Sequence, residues 1–209
     1  MARSDKWYTR INRQFKLIRR NKMKSNIHPK AEKVLAVAKR YVREKYTEGP
    51  NNNTSFGKWY GMNYQPWCAM FVSGCFNEAG LVNLVAASSK KGFASCDAGA
   101  QWFAKNKRVV PIGQAQPGDI VFFNFDKNPT DTEHVGIVLR NNTRTKTLIT
   151  IEGNTSGDTK GSQANGDGVF KKRRSYSLVM SVARPDWDAV APKAAPAKKS
   201  AVKPKAKGK

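Results

Sequence analysis

At Pro117-Gly118 the chain changes its hydrophobic period, and that change constrains the fold open to it. Before it, apolar residues recur at helical spacing. Val34, Leu35, Ala38, Tyr41 and Val42 make one face of a segment that Pro29 opens and Gly49-Pro50 ends. The stretch WCAMFVSGCFNEAG, from Trp67, is apolar at the same spacing and stops at Gly80, a glycine suited to the residue after a helix. A shorter helix is expected over 97–105, and the polar stretch NNNTSFGKWYGMNYQ between the first two reads as a loop. After Pro117-Gly118 the runs 119–125, 134–140 and 146–152 are β-branched and aromatic, bounded by turn residues. Asn141-Asn142-Thr143 is expected to turn the last two into a hairpin. Segments 169–172 and 178–183 are expected to complete an antiparallel sheet. Helices first and strands afterwards predict an α+β domain.

This domain is expected over residues 29–188, with two basic extensions. In residues 1–28, Trp7, Tyr8, Ile11, Phe15 and Ile18 recur at helical spacing among arginines. That describes a basic amphipathic helix, either laid against the domain or binding an anionic surface. Residues 189–209 end in a tail of Ala, Pro, Lys, Ser, Val and Gly, which cannot bury enough surface to offset its ordering entropy and is expected to be disordered. Lys and Arg number 38 against 15 Asp and Glu, a net charge of +23. Such a balance implies a polyanionic partner, be it nucleic acid, anionic lipid or cell-wall polymer. No apolar run approaches a membrane span, and the first residues lack the apolar core of a secretory signal.

Of three cysteines, Cys68 stands out. A thiol in the first turn of a helix lies at the positive end of the helix dipole, which favours the nucleophilic thiolate. The free N–H groups of that turn are also available to an oxyanion. Cys75 and Cys96 fit either a bridge formed after export or two free thiols kept in a reducing cytoplasm. Their spacing matches no zinc pattern. His134 opens a strand, where a rigid element can aim a general base. Glu152 ends the next strand, so antiparallel pairing brings it near His134, where a carboxylate can accept the second imidazole N–H. Asn154 lies two residues further on.

These pieces resemble the cysteine- and histidine-dependent amidohydrolase/peptidase (CHAP) family. The similar stretches are FGKWYGMNYQPWCAMFVS around Cys68, KGFASCDAGAQWF, QPGDIVFFNF, EHVGIVL with His134, and ITIEGNTS. Within that family the chain looks most like bacteriophage endolysin catalytic domains. The resemblance implies a papain-like fold and hydrolysis of a peptide or amide bond in bacterial peptidoglycan. It further implies Cys68 as nucleophile, His134 as base, Glu152 as the group orienting the histidine, and Asn154 as a supporting residue. It implies no cofactor. Some such domains carry an aspartate-rich calcium loop before the cysteine, but residues 51–65 contain no acid, so no metal is expected there. Asp126, Asn128 and Asp131 read as an acidic turn.

Gln65 is a candidate second oxyanion donor. Trp59, Tyr60, Tyr64, Trp67 and Trp102 are candidates for a substrate groove, with core packing the alternative for Trp67 and Trp102. The Gly-rich stretch 153–168 reads as a flap over the site or an ordinary exposed loop. The basic extensions are expected to attract anionic wall polymers or a membrane surface, and the protein to act as a monomer. Accumulation in the host bacterial cytoplasm and release to the wall through a pore is the expected route. Two competing readings are a cationic nucleic-acid or surface binder on an inactive scaffold, and a CHAP amidase acting on a small amide.

Overall fold

The computed structural model describes residues 27–189 except 127, 129, 130 and 159. The expected amphipathic helix near the N-terminus and the Lys/Ala/Pro tail lie outside the described residues. Among the described residues four α-helices come first: α1 (Pro29–Arg43), α2 (Ser55–Tyr60), α3 (Cys68–Glu78) and α4 (Cys96–Lys105). Six strands follow: β1 (Val109–Val110), β2 (Ile120–Phe123), β3 (His134–Asn142), β4 (Thr147–Thr155), β5 (Gly168–Ser175) and β6 (Val179–Ala183). They form one antiparallel sheet in the order β1-β6-β2-β3-β4-β5, so the fold is α+β as expected.

Helix α3 is the centre of the domain. Every residue from Cys68 to Phe76 is buried, which is why its sequence is apolar all round rather than on one stripe. It packs against β3 and β4 on one side and against α1 and α2 on the other. The sheet is covered on both faces. In β2, Ile120 and Phe122 join the core under the helices, whereas Val121 and Phe123 join a second core with Val138, Leu148 and Val182. Double coverage accounts for the unbroken apolar run IVFF, where a half-exposed strand would alternate.

Two local expectations are corrected. The stretch read as a loop contains α2, a single short helix between a Thr54 cap, whose hydroxyl accepts from the Gly57 N–H, and Gly61 in the left-handed conformation (φ +95°). Six residues are too few to display a helical period. The β3–β4 hairpin turns at residues 143–146, not at Asn141-Asn142, because both asparagines stay in the ladder opposite Leu148 and Thr147. The Asn141 side chain is committed elsewhere: its Nδ2 donates to the Ile112 carbonyl (3.0 Å), and its Oδ1 accepts from the Tyr176 hydroxyl (2.5 Å).

Candidate active site

Cys68 is the first residue of α3 and is buried, with the Ala69 N–H of the first turn beside it favouring the thiolate. Pro66 and the exposed Gln65 precede it. His134 is the first residue of β3, paired with Phe123 at the end of β2. Its ring is wholly buried and stacks against Phe123 and Phe125, at centroid distances of 6.1 and 5.8 Å. Nε2 donates to Glu152 Oε2 at 3.0 Å. Among the described residues Nδ1 has no geometric hydrogen-bond partner, and it is the nitrogen left for the neighbouring Cys68.

Strand register explains how Glu152 reaches the histidine. Ile151 pairs with Ile137, which sets Glu152 opposite Gly136, two residues from His134 on the same side of the strand. A Cβ on Gly136 would lie 2.6 Å from Glu152 Cγ. Glycine thus leaves the space through which the carboxylate crosses the strand diagonally.

Glu152 is also held from below. Arg174 on β5 donates through Nε to Oε1 (3.0 Å) and Oε2 (3.2 Å) and through Nη2 to Oε2 (2.5 Å), while the Thr150 hydroxyl donates to Oε1 (2.5 Å). The Arg174 guanidinium lies over Phe125 and Phe123, 5.0 and 5.6 Å from their centroids, beneath the rings that flank His134. This arginine is absent from the sequence expectations. Its signal is positional: in the run Lys171-Lys172-Arg173-Arg174, alternation sends Lys172 and Arg174 inward, and a buried arginine needs a carboxylate.

Electrostatics follow from these contacts. Burial alone would push Glu152 up, yet His134 and Arg174 hold it down to about 2. Burial would lower His134, but Cys68 and Glu152 outweigh it and raise the imidazole to about 9. Cys68 falls well below the ordinary thiol range. The principal cause is the hydrogen bond from Cys96, with His134 and the Ala69 N–H adding to it against the cost of burial. The arrangement therefore favours a thiolate–imidazolium pair backed by a carboxylate.

Cys96, the first residue of α4, has its sulfur 3.6 Å from that of Cys68. All three cysteines are free, so of the two alternatives for Cys75 and Cys96 the structure has the free thiols, and Cys96 faces Cys68. The same helix tip braces the histidine strand. Asp97 Oδ1 accepts from both the N–H and the hydroxyl of Thr132, each at 2.7 Å, two residues before His134.

Other expected residues fall elsewhere. Among the described residues, no hydrogen bond joins Asn154 to His134. A bulge between Glu152 and Thr155 puts it in the left-handed region (φ +58°) and breaks the two-residue period that would align it with Glu152. Its Nδ2 donates instead to Ala164 O and Asn165 Oδ1. Trp67 cannot line a groove: it is fully buried, stacked on Phe56, with Nε1 donating to Glu48. Trp102 is half-buried beside Phe103 and faces Asn83, Asn106 and Arg108. Trp59 and Tyr60 are half-buried, and Tyr64 is 59% exposed. The loop after β4 is stitched to itself and to the site. Ser156 N–H donates to Ser162 O, Thr155 Oγ1 to Gln163 O, and Arg174 Nη1 to Gln163 Oε1.

Residues 59–154 match the model of the CHAP domain. No curated protein and no solved structure matches the chain. The matched stretch contains Cys68, Cys96, His134 and Glu152, and the strand order that brings the last two together. Residues 59–154 thus carry a CHAP domain, a domain of the amidohydrolase/peptidase type, built around Cys68, His134 and Glu152.

Proposed function

We propose that this protein is an endolysin-like peptidoglycan hydrolase that cleaves an amide or peptide bond of the bacterial cell wall by cysteine nucleophilic catalysis. The observation that carries the reading is the buried relay in which Glu152 binds His134 Nε2 at 3.0 Å while Nδ1 remains for Cys68. In the proposed cycle the Cys68 thiolate attacks the scissile carbonyl, and the first-turn N–H groups of α3 stabilise the oxyanion. His134, charged through its contacts with Cys68 and Glu152, gives its proton to the leaving amine. It then takes a proton from the water that releases the acyl group. Glu152 fixes the tautomer and orientation of the ring and stabilises its positive charge. The CHAP domain supports peptidoglycan as substrate. The net charge of +23 suits a substrate embedded in anionic wall polymers, an attraction that weakens with salt.

The deciding experiment measures turbidity loss of purified bacterial cell walls with wild type and Cys68→Ala, with released termini identified by mass spectrometry. Clearing by wild type alone is expected, and the new termini name the bond. Equal clearing by both proteins, or none by either across several wall chemotypes, overturns the reading.

A further inference from the structure

We infer that Cys68 and Cys96 form a site of reversible oxidation, at which a hydroperoxide converts the two thiols into a disulfide. The sulfurs are 3.6 Å apart, each on the first residue of its helix, α3 and α4. A disulfide requires about 2.05 Å, so the closure needed is about 1.5 Å. Both ends are held. Ser95 caps α4 by accepting from the Ala98 N–H, Asp97 ties the helix tip to Thr132, and Cys68 lies in the buried centre of the domain. Cys75 is no competitor, since it lies seven residues along α3, about 10 Å down the helix axis.

The chemistry closes without a further reductant or oxidant. The Cys68 thiolate attacks the terminal peroxide oxygen, an S–O bond forms, the O–O bond breaks, and the departing hydroxide of hydrogen peroxide (or the alkoxide of an organic hydroperoxide) takes the imidazolium proton of His134 to leave as water or alcohol. Cys96 sulfur then attacks the sulfenic sulfur of Cys68. The S–S bond forms, the S–O bond breaks, and the second hydroxide leaves as water with the Cys96 proton. Two thiols are oxidised by two electrons, and one hydroperoxide is reduced. Cys68 is the attacking sulfur because the Cys96 S–H donates to it and remains protonated, whereas Cys68 carries the charge. Cys96 thereby diverts an oxidised Cys68 from the irreversible sulfinic acid. Only the accompanying loss of hydrolysis rests on the reading of Cys68 as nucleophile.

The test treats the full-length protein with hydrogen peroxide, alkylates remaining thiols and maps peptides without reduction. Expected is a peptide pair joined through Cys68 and Cys96, lighter by two hydrogens, that separates with a thiol reductant. Wall-clearing activity should fall with the linked fraction and return on reduction. Cys75→Ala should form the same link. In Cys96→Ser the same dose should carry Cys68 to sulfinic acid, and reductant should not restore activity. Cys68 sulfinic acid in wild type with Cys96 alkylated, or a link through Cys75, would overturn the inference. A Cys68–Cys96 link in a protein whose reduced form cleaves no wall would leave the oxidation site standing and remove the nucleophile reading instead.

Discussion

Replacing Arg174 with methionine separates the charge that supports Glu152 from the packing around it. Methionine fills a comparable length beside Phe123 and Phe125 but strands a carboxylate that is wholly buried. In the native protein Glu152 is held at about 2 against an ordinary 4.5. Converted at about 1.4 kcal/mol per unit, that depression amounts to about 3 kcal/mol of stability at neutral pH, shared between His134 and Arg174. Removing one partner of a buried pair typically costs about 3–5 kcal/mol, because the other charge is left uncompensated. His134 remains as a second cation, so the lower end applies. Arg174→Met should lose about 3 kcal/mol at pH 7, a fall in Tm of roughly 6–12 °C for a domain of this size.

The sign of the pH dependence distinguishes this account from simple loss of packing. A carboxylate with a depressed native pKa stabilises the fold above its unfolded pKa, and that contribution disappears as pH falls through the native value. The gap between wild type and Arg174→Met should therefore be widest above about pH 5 and close as Glu152 protonates towards about pH 2. Denaturant titrations at pH 7, 5 and 3.5 measure it. A loss below about 1 kcal/mol at pH 7, or a gap constant across the three, refutes the reasoning.

Other expectations follow from neighbouring residues. The pH profile of kcat/KM should fall on the alkaline side near pH 9 as the raised His134 loses its proton, and Cys96→Ala should move the acid limb upward by removing the main support of the Cys68 thiolate; an unmoved acid limb would contradict that support. Gly136→Ala places a Cβ 2.6 Å from Glu152 Cγ and should lower kcat by about 10²-fold, read from wall-clearing rates beside a melting curve. Gly153→Ala sets a Cβ 2.6 Å from Phe71 Cβ and 2.7 Å from Trp67 Cζ3, overpacking the contact of β4 with α3, and should cost about 2 kcal/mol by chemical denaturation. Glu152→Ala should lower kcat at least about 10²-fold, whereas Asn154→Ala, acting on the loop after β4, should change it only a few-fold; equal losses would return Asn154 to the site.

Local periodicity made most of the fold legible in the sequence. α1, α3, α4 and the longer strands follow their hydrophobic periods, with ends displaced by a few residues where caps and turns decide. Helix α2 escaped because two caps, rather than a period, define it. The geometry of Glu152 beside His134 was legible for a related reason. A hairpin converts sequence distance into spatial distance, and two neighbouring strands suffice to place both residues. Asn154 broke the same rule one step later, because a bulge is a local backbone event that alternation does not announce.

Cys96 and Arg174 were illegible for a deeper reason. The first contact depends on where α4 lands against α3, and the second on how β5 registers against β4 across the long loop 156–167. Yet both are required by physics once the neighbours are known. A buried carboxylate that serves a histidine needs more positive charge than an imidazolium shared with a thiolate supplies, and a thiolate sealed from water needs donors besides one helix turn. Arg174 and the Cys96 S–H meet these needs from opposite sides of the Cys68–His134–Glu152 line. The residues that form the charges could thus be read locally, whereas the residues that make those charges tolerable in the interior belong to the tertiary fold. The same enclosure that stabilises the Cys68 thiolate also brings it within reach of a second sulfur, so the donor that supports the nucleophile is the group positioned to trap it when oxidised.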